Sequence, residues 1–557
     1  MLKRVVLFAW IFIQLAFACS SQQGSVTENT VDRPAIGTRG MVSSGHPLAT
    51  EAGLDILRQG GNAFDAAVAI AAVLNVVEPM SSGAGGYGTI VTYDAKKSEA
   101  RFLNCSAHIP KSVDSDVFRA PTPNYEANRR GPKAVSTPGN VHAWEAMSQT
   151  YGILTWSTLF DRAIQLADEG VILDERTASM IGYAFPSFPP HAQAFYAREG
   201  GPLKSGDRLV QKDLANTLRL IADKGAAGFY DGQIARAIDA AVRGAGGFLS
   251  LDDLQSAKAE WWEPIRIQYR DCEIITASPP ATAFPSLIRL GMMSRFDVQG
   301  LGHNTADYLH RFAEVTKHAF WCRLAHAGDP DLFPPPLDKL LSEPYWDEQV
   351  RRIDPSKARP FNYPDIVQQE DHNTTHFVVA DQWGNIVCAT QTLGNAFGSR
   401  IMPEGTGVWL NNSLAYCTFE PKGNPMDAHA GHHKLSGDCP TLIIRDGRPW
   451  VAVGTPGGHT IGQTVPQMVM NVVDFGMDIQ QAIAAPRISF VEPDILAVEE
   501  TIPEAVRKAL SNLGHTIRTA RGLGDGHGLA IHYDASGKPV RFTGGSDPRG
   551  AGLAKGL

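Results

Sequence analysis

The sequence predicts an α+β layered sandwich, two sheets covered by helices on both sides. Three features lead there. Helical patterns dominate the early and middle chain, short β-rich runs broken by Gly and Asp turns take over from His376, and helices return among those runs. The 557 residues are 43% hydrophobic, which supplies a large core and argues against a disordered or fibrous chain. The 54 glycines and 36 prolines suit a turn-rich fold better than a helical bundle. A formal net charge of −8 gives no electrostatic case for nucleic acid as a partner.

Lys3 and Arg4 precede the apolar run "VVLFAWIFIQLAFA", and together they read as an export signal over residues 1–18. Cys19 and the polar "SSQQGSVTENT" behind it resemble a bacterial lipoprotein start, with lipid on Cys19 and a flexible tether to residue 34. The chain is then periplasmic or membrane-anchored, touching the membrane only through that lipid. Ala16 stands where such signals carry Leu, so plain secretion after Ala18 is the alternative. The other six cysteines form no CxxC pair and read as buried apolar residues.

"HPLATEAGLDILRQGGNAFDAAVAIAAVLNVVEP" reads as two helices. The first stops at Gly60-Gly61. The second is capped by Asn62, with Asp65 at its positive end, and is apolar nearly all round. "SSGAGGYGTIVTYD" contains a G-x-G-x-x-G at Gly83, Gly85 and Gly88, but a helix precedes it and a strand follows. That is the reverse of a dinucleotide site, so a tight turn into a strand is expected. Residues 131–353 look mostly helical, as in "NTADYLHRFAEVTKHAF", capped by Asn304 or Thr305. "HFVVADQWGNIVCATQT" predicts a hairpin with strands at about 376–380 and 386–392. "TLIIRDGRPWVAV" predicts a second hairpin on an Asp-Gly turn, "GMDIQQAIAAPRI" a helix and "GLAIHYDASGKPVRF" a late hairpin.

No HExxH, P-loop or GxSxG elbow is present, so a nucleophile must be sought elsewhere. In the first hairpin, paired residue numbers sum to about 766, which sets Thr374 beside Thr392, about 5 Å apart. A threonine hydroxyl needs a neighbouring base, and an N-terminal amine is one. With a pKa of about 7.7–8.0, such an amine is partly unprotonated near neutrality. Breaking the Asn373–Thr374 bond would create it on the nucleophile's own residue. Pro456-Gly457-Gly458 leaves two backbone N–H groups able to converge on an oxyanion. Taken singly, Thr-Thr is β propensity and Pro-Gly-Gly a turn. Asp427, His429, His432 and His433 come from one loop; a solvated lid is the reading, with no metal.

The ordered set "TTHFVVADQWGN", "TQTLGNAFGS", "WLNNS", "LSGDCPTLIIRDGRPW", "VGTPGGHT" and "AIAAPRI" resembles the γ-glutamyltransferase (glutathione hydrolase) family. Similarity extends upstream to "HPLATEAGLDILRQGGNAFDAA" and downstream to "GGSDPRGAGLAKG", nearly the whole chain from Gly40. The resemblance implies an N-terminal nucleophile hydrolase αββα sandwich whose precursor cuts itself into a large subunit (35–373) and a small one (374–557). It further implies that Thr374 is the nucleophile, its amine the base, Thr392 its helper, and Gly457 and Gly458 the oxyanion hole. No metal or organic cofactor is implied.

The substrate-binding positions of the family fall on Gly394, Ser413, Tyr416, Ser436 and Gly437, and here the chain departs from the pattern. Members place an Arg where this chain has "FLNCSAHIP", Ser-Ser at Ser436-Gly437, Asn at Gly394 and Asp at Tyr416. A zwitterionic glutamyl head thereby loses its charged partners, each worth about 1.5–3 kcal/mol. The expected activity is hydrolysis or transfer on a small-molecule or peptide amide. The acyl group is γ-glutamyl or a less charged glutaryl- or oxamate-like one. A non-catalytic binding lipoprotein is the alternative of a different class.

Overall fold

The structure, a computed structural model, describes residues 33–106, 108–119, 128–361 and 373–557. The export signal, Cys19 and residues 19–32 of the tether lie outside them. Two seven-stranded sheets form the centre. Their strands are β1 (Ala35–Gly37), β2 (Gly40–Ser44), β3 (Tyr87–Asp94), β4 (Glu99–Cys105), β5 (Glu260–Trp262), β6 (Ile265–Tyr269) and β7 (Cys272–Thr276). They continue with β8 (Asn373–Asp381), β9 (Ile386–Gly394), β10 (Thr441–Arg445), β11 (Arg448–Gly454), β12 (His527–Tyr533), β13 (Pro539–Ser546) and β14 (Leu553–Gly556). The first sheet runs β1-β13-β12-β11-β10-β7-β6 and the second β14-β2-β8-β9-β3-β4-β5.

Side-chain alternation assigns each sheet two faces. Val378, Ala380, Ile386 and Cys388 of the second sheet meet Leu442, Ala452, Leu529 and Phe542 of the first in one core between the sheets. Phe377, Val379, Val387 and Ala389 point the other way, into a core with helices α1 (Pro47–Arg58) and α2 (Ala63–Val77). On the far side, Ile274, Ile443 and Val453 pack against α3 (Phe284–Met293), α4 (Ala306–His326), α5 (Ile461–Val473) and α6 (Ile479–Ala484). The layers are therefore helix, sheet, sheet, helix, the αββα sandwich expected from the sequence.

Local chemistry explains the elements. All 15 residues of α2 are buried, and its start is a reciprocal cap: Asn62 Oδ1 accepts from Phe64 N and Asp65 N, both at 2.9 Å, while Asn62 N donates to Asp65 Oδ2 at 3.1 Å. Thr305 caps α4 by accepting from Tyr308 N at 3.2 Å. The glycine-rich turn runs from helix to strand, as its order requires. Gly85 has no room for a side chain, since a Cβ there would sit 2.2 Å from the Trp409 carbonyl oxygen. Asp446 and Gly447, with φ of 53° and 72°, form the tight β10–β11 turn.

One region differs from expectation. β6 and β7 form an antiparallel hairpin inside the stretch read as mostly helical. "IRIQYRDCEIIT" alternates with a period of two, a pattern easily lost among long helical neighbours.

The C-terminal segment is bolted down by charge. Arg487 Nη2 pairs with Asp547, Arg549 with both Asp547 and Glu499, and Asp547 Oδ2 also accepts from Gly526 N at 2.8 Å. Arg487 and Asp547 are 1% and 0% exposed in their side chains, so neither can turn to water. Asp547→Ala is expected to destabilise the fold by about 3–5 kcal/mol, because a buried guanidinium loses its main counter-charge. A denaturant titration checks this; a midpoint unchanged from wild type would contradict it.

Candidate active site

The period of β8 decides which hydroxyl faces the inter-sheet gap. Thr374 and His376 share the side of Val378, toward the other sheet, while Thr375 shares the side of Phe377, toward α2. His376 lies against the first sheet so closely that a Cβ on Gly454 would meet its ring at 2.2 Å. Thr375 Oγ1 instead donates to Glu78 Oε2 at 2.8 Å. Glu78 is 4% exposed, and burial pushes its carboxyl up, opposed by Arg176 and the Thr375 hydrogen bond.

The hairpin has the register expected from residue numbers, with Thr374 opposite Thr392 and Phe377 opposite Ala389. A bulge then slips Asn373 across to Gly394. Here the hydroxyls form a directed chain. Thr374 Oγ1 donates to Thr392 Oγ1 at 3.0 Å, and Thr392 Oγ1 donates to the Asn373 carbonyl oxygen at 2.8 Å. Gly394 N, donating at 2.8 Å, holds Thr392 in place. Both threonines and Asn373 are nearly buried, at 8%, 4% and 7% exposed. The peptide bond preceding Thr374 thus has its carbonyl polarised by the group that also contacts the Thr374 hydroxyl.

The facing wall comes from the other sheet. β11 ends at Gly454, and Gly457 and Gly458 follow with φ of 135° and 56°. Thr460 N and Oγ1 both donate to the Gly457 carbonyl, at 3.1 and 2.9 Å, so that carbonyl is tied back into the turn. A Cβ on Gly457 would meet Thr460 Oγ1 at 2.4 Å.

Between the walls lies a pocket of about 830 Å³, open to solvent, which Thr374, Thr392 and Gly458 line. Gly394, Tyr416, Ser436 and Gly437 line it too. Ser413 does not join them: it is fully buried and its hydroxyl contacts Ser136 Oγ. None of the described residues of the "FLNCSAHIP" stretch lines the pocket either, and Asn104 Oδ1 accepts from Ser106 N at 3.0 Å. Arg289, Arg323, Lys434 and Asp438 line the pocket and were missed from the sequence. The overlooked signal was a lone Arg in "FPSLIRLGMM", a helix whose every residue is buried.

The histidine loop is less solvated than expected. Asp427, 4% exposed, pairs with Arg119, and His433 donates to Asp329 from its backbone N at 2.7 Å, with Nδ1 3.2 Å away. Asp329, Asp331 and His433 offer donors close enough for a metal, as do His310, Glu314 and His515. Both groups are already engaged internally. His310 Nδ1 lies 2.8 Å from His515 Nε2, and Glu314 accepts from Arg359 N.

Comparison with known proteins identifies the family. The γ-glutamyltranspeptidase family model matches residues 49–557. The chain belongs to that family. It is 32% identical to the glutathione hydrolase proenzyme of Bacillus subtilis (strain 168), over 94% of this chain and 92% of that one. It is 33% identical to the acylase ACY 1 proenzyme of Pseudomonas sp. (strain V22), over 93% and 96%. Among solved structures, the cephalosporin acylase from Bacillus halodurans superposes with a TM-score of 0.85 at 27% identity, covering 98% of this chain and 99% of that one. The protein is thus an N-terminal nucleophile hydrolase of γ-glutamyltransferase type, and the non-catalytic alternative gives way.

Within that family fold, the His433–Asp329 contact latches the loop that ends at the pocket. Burial opposes both charges, yet the His433 hydrogen bond and two backbone N–H groups hold the Asp329 carboxyl down at about 2, and Asp329 lifts His433 above the usual imidazole value. The Asp329 contribution is full above its unfolded value near 3.8 and fades as pH falls toward 2. The His433 contribution is full below 6.5 and is lost as pH rises through the raised value. Asp329→Asn is therefore expected to speed hydrogen exchange in residues 427–434 most between pH about 4 and 6.5. Equal exchange in variant and wild type would contradict the latch.

Proposed function

We propose that the chain is a precursor that cuts itself between Asn373 and Thr374 and then uses Thr374 to accept acyl groups from amides. The observation that carries this is the hydrogen-bonded run from Thr374 Oγ1 through Thr392 Oγ1 to the Asn373 carbonyl. In the uncut chain, Thr374 Oγ attacks the Asn373 carbonyl carbon, its proton leaves toward Thr392, and the Thr374 nitrogen departs with a proton. Water then hydrolyses the resulting ester. Residues 35–373 become the large subunit and 374–557 the small one.

The freed Thr374 amine is the base for the second reaction. It takes the hydroxyl proton as Oγ attacks the substrate amide, then returns it to the leaving amine. The N–H groups of Gly457 and Gly458 receive the oxyanion, a contribution of about 3–4 kcal/mol per donor in related chemistry. Water or an acceptor amine releases the acyl group. The relatives named above are called glutathione hydrolases and acylases, and the pocket favours the acylase side. Gly394 and Tyr416 offer no carboxylate to a glutamyl ammonium, and a new side chain at Gly394 would meet Asn412 Oδ1 at 2.3 Å. Export behind a lipidated Cys19 fits a precursor that works in the envelope; fatty-acid labelling lost in Cys19→Ala is the expected outcome, and no label on wild type would refute it.

On a denaturing gel, wild type is expected as two fragments and Thr374→Ala as one uncut band. Thr392→Val, which keeps the shape but removes the hydroxyl, should slow cleavage by about 10²–10³-fold. Wild type that stays whole, or Thr374→Ala that still cuts at the same bond, would overturn the reading.

A further inference from the structure

A buried cation is ordinarily matched by a carboxylate. Three cations on the pocket wall have no ion pair among the described residues. Arg289, 3% exposed on α3, gives Nη1 to the Gly462 carbonyl at 3.0 Å and Nε to Thr316 Oγ1 at 3.4 Å, both neutral partners. Arg323, on α4, lies over the Phe320 ring at 5.8 Å. Lys434, 2% exposed, donates to the Leu435 carbonyl and sits 5.8 and 6.0 Å from the rings of Tyr87 and Tyr416.

These three belong to one electrostatic site. Burial lowers each of them, Arg289 to about 9; Glu492, outside the pocket lining, opposes this at Arg323, and Arg323 further lowers both Arg289 and Lys434. The pocket lining holds one acidic side chain, Asp438. Its Oδ2 already accepts from Ser436 Oγ at 2.6 Å and Thr89 Oγ1 at 3.2 Å, and burial lifts it to about 6. Even with Asp438 and Glu492 both ionised, the three cations leave a positive balance, in a space shared with the Thr374 hydroxyl.

We propose that Arg289, Arg323 and Lys434 form a receptor for a carboxylate at the far end of the acyl group, so that the preferred substrates are monoamides of dicarboxylic acids lacking an α-ammonium. This replaces the glutamyl clamp whose positions are Gly394, Tyr416 and "FLNCSAHIP", and its catalytic half rests on Thr374 being the acylated residue. The carboxylate supplies the missing counter-charge. An α-ammonium would instead enter a pocket of surplus positive charge, where the one carboxylate is already held by two hydroxyls.

The test compares three anilides on processed enzyme: glutaryl, its neutral glutaramoyl analogue and γ-glutamyl. Glutaryl is expected to exceed each of the others in kcat/KM by about 10–100-fold, the range of one or two charged hydrogen bonds. Arg323→Gln, which sits at the pocket rather than in the core of α3, should remain cleaved into two fragments. Its loss in kcat/KM should be about 10–100-fold greater on glutaryl than on glutaramoyl. Equal use of the glutaryl and glutaramoyl compounds, faster γ-glutamyl turnover, or an equal loss on both neutral and charged substrates in Arg323→Gln would overturn the receptor. Because the pocket exists in the uncut chain, calorimetry with glutarate on Thr374→Ala separates the two claims. Glutarate binding that Arg323→Gln in the same background abolishes supports the receptor even if wild type proves uncut. No glutarate binding refutes it even if Thr374 processing is normal.

Discussion

The hydroxyl of Thr392 is the point on which the site depends. It accepts from Thr374, donates to the Asn373 carbonyl and is fixed by Gly394 N, so a single group links the proposed nucleophile to the bond in front of it. That arrangement requires the β8–β9 register to be correct to one residue. A slip of one would turn Thr374 toward α2 and bring Thr375 into the gap. The register is enforced from both faces, by Phe377 and Val379 in the helical core and by Val378 and Ala380 between the sheets. The bulge between Asn373 and Thr374 then shifts the ladder, placing Asn373 opposite Gly394. Packing of the whole sandwich thereby controls the distance between two oxygen atoms.

The two walls of the site come from different sheets, which explains why so much of the chain is needed. Thr374 and Thr392 ride on the central hairpin of one sheet, while Gly457 and Gly458 follow β11 of the other. The core between the sheets sets their separation. The Arg487–Asp547–Arg549–Glu499 network holds the segment around Gly526 behind the glycine turn, and Gly524 Cα would lie 3.5 Å from a Cβ on Gly457. A charged cluster distant in sequence therefore supports the geometry of the Gly457–Gly458 turn.

Much of this was legible in the sequence, for physical reasons that differ by element. The hairpin was readable because its apolar alternation and its Asp-Gln-Trp-Gly-Asn turn leave one register, and α2 because Asn62 and Asp65 cap an unbroken apolar run. The β6–β7 hairpin was not, since its short alternating run lies among long helices. In the pocket, Gly394, Tyr416, Ser436 and Gly437 are brought together, and Ser413, next to Asn412 in the same motif, is turned toward Ser136. Motif spacing says which residues share a loop, not which way each points. Arg289, Arg323 and Lys434 come from two helices and a loop more than a hundred residues apart in part, and only the tertiary fold converges them. The histidine loop likewise looked solvated because its partners, Arg119 and Asp329, are remote in sequence.

The central claim is that the acyl group passes to the hydroxyl of Thr374 as the first residue of a new chain. Rapid acid quenching during turnover of an amide substrate, followed by peptide mass spectrometry, tests it most directly. The account predicts a peptide that begins at Thr374 and carries the acyl mass as a base-labile ester on that residue. An acyl mass found on any other residue, or Thr374 recovered only in peptides that still contain Asn373, would contradict it.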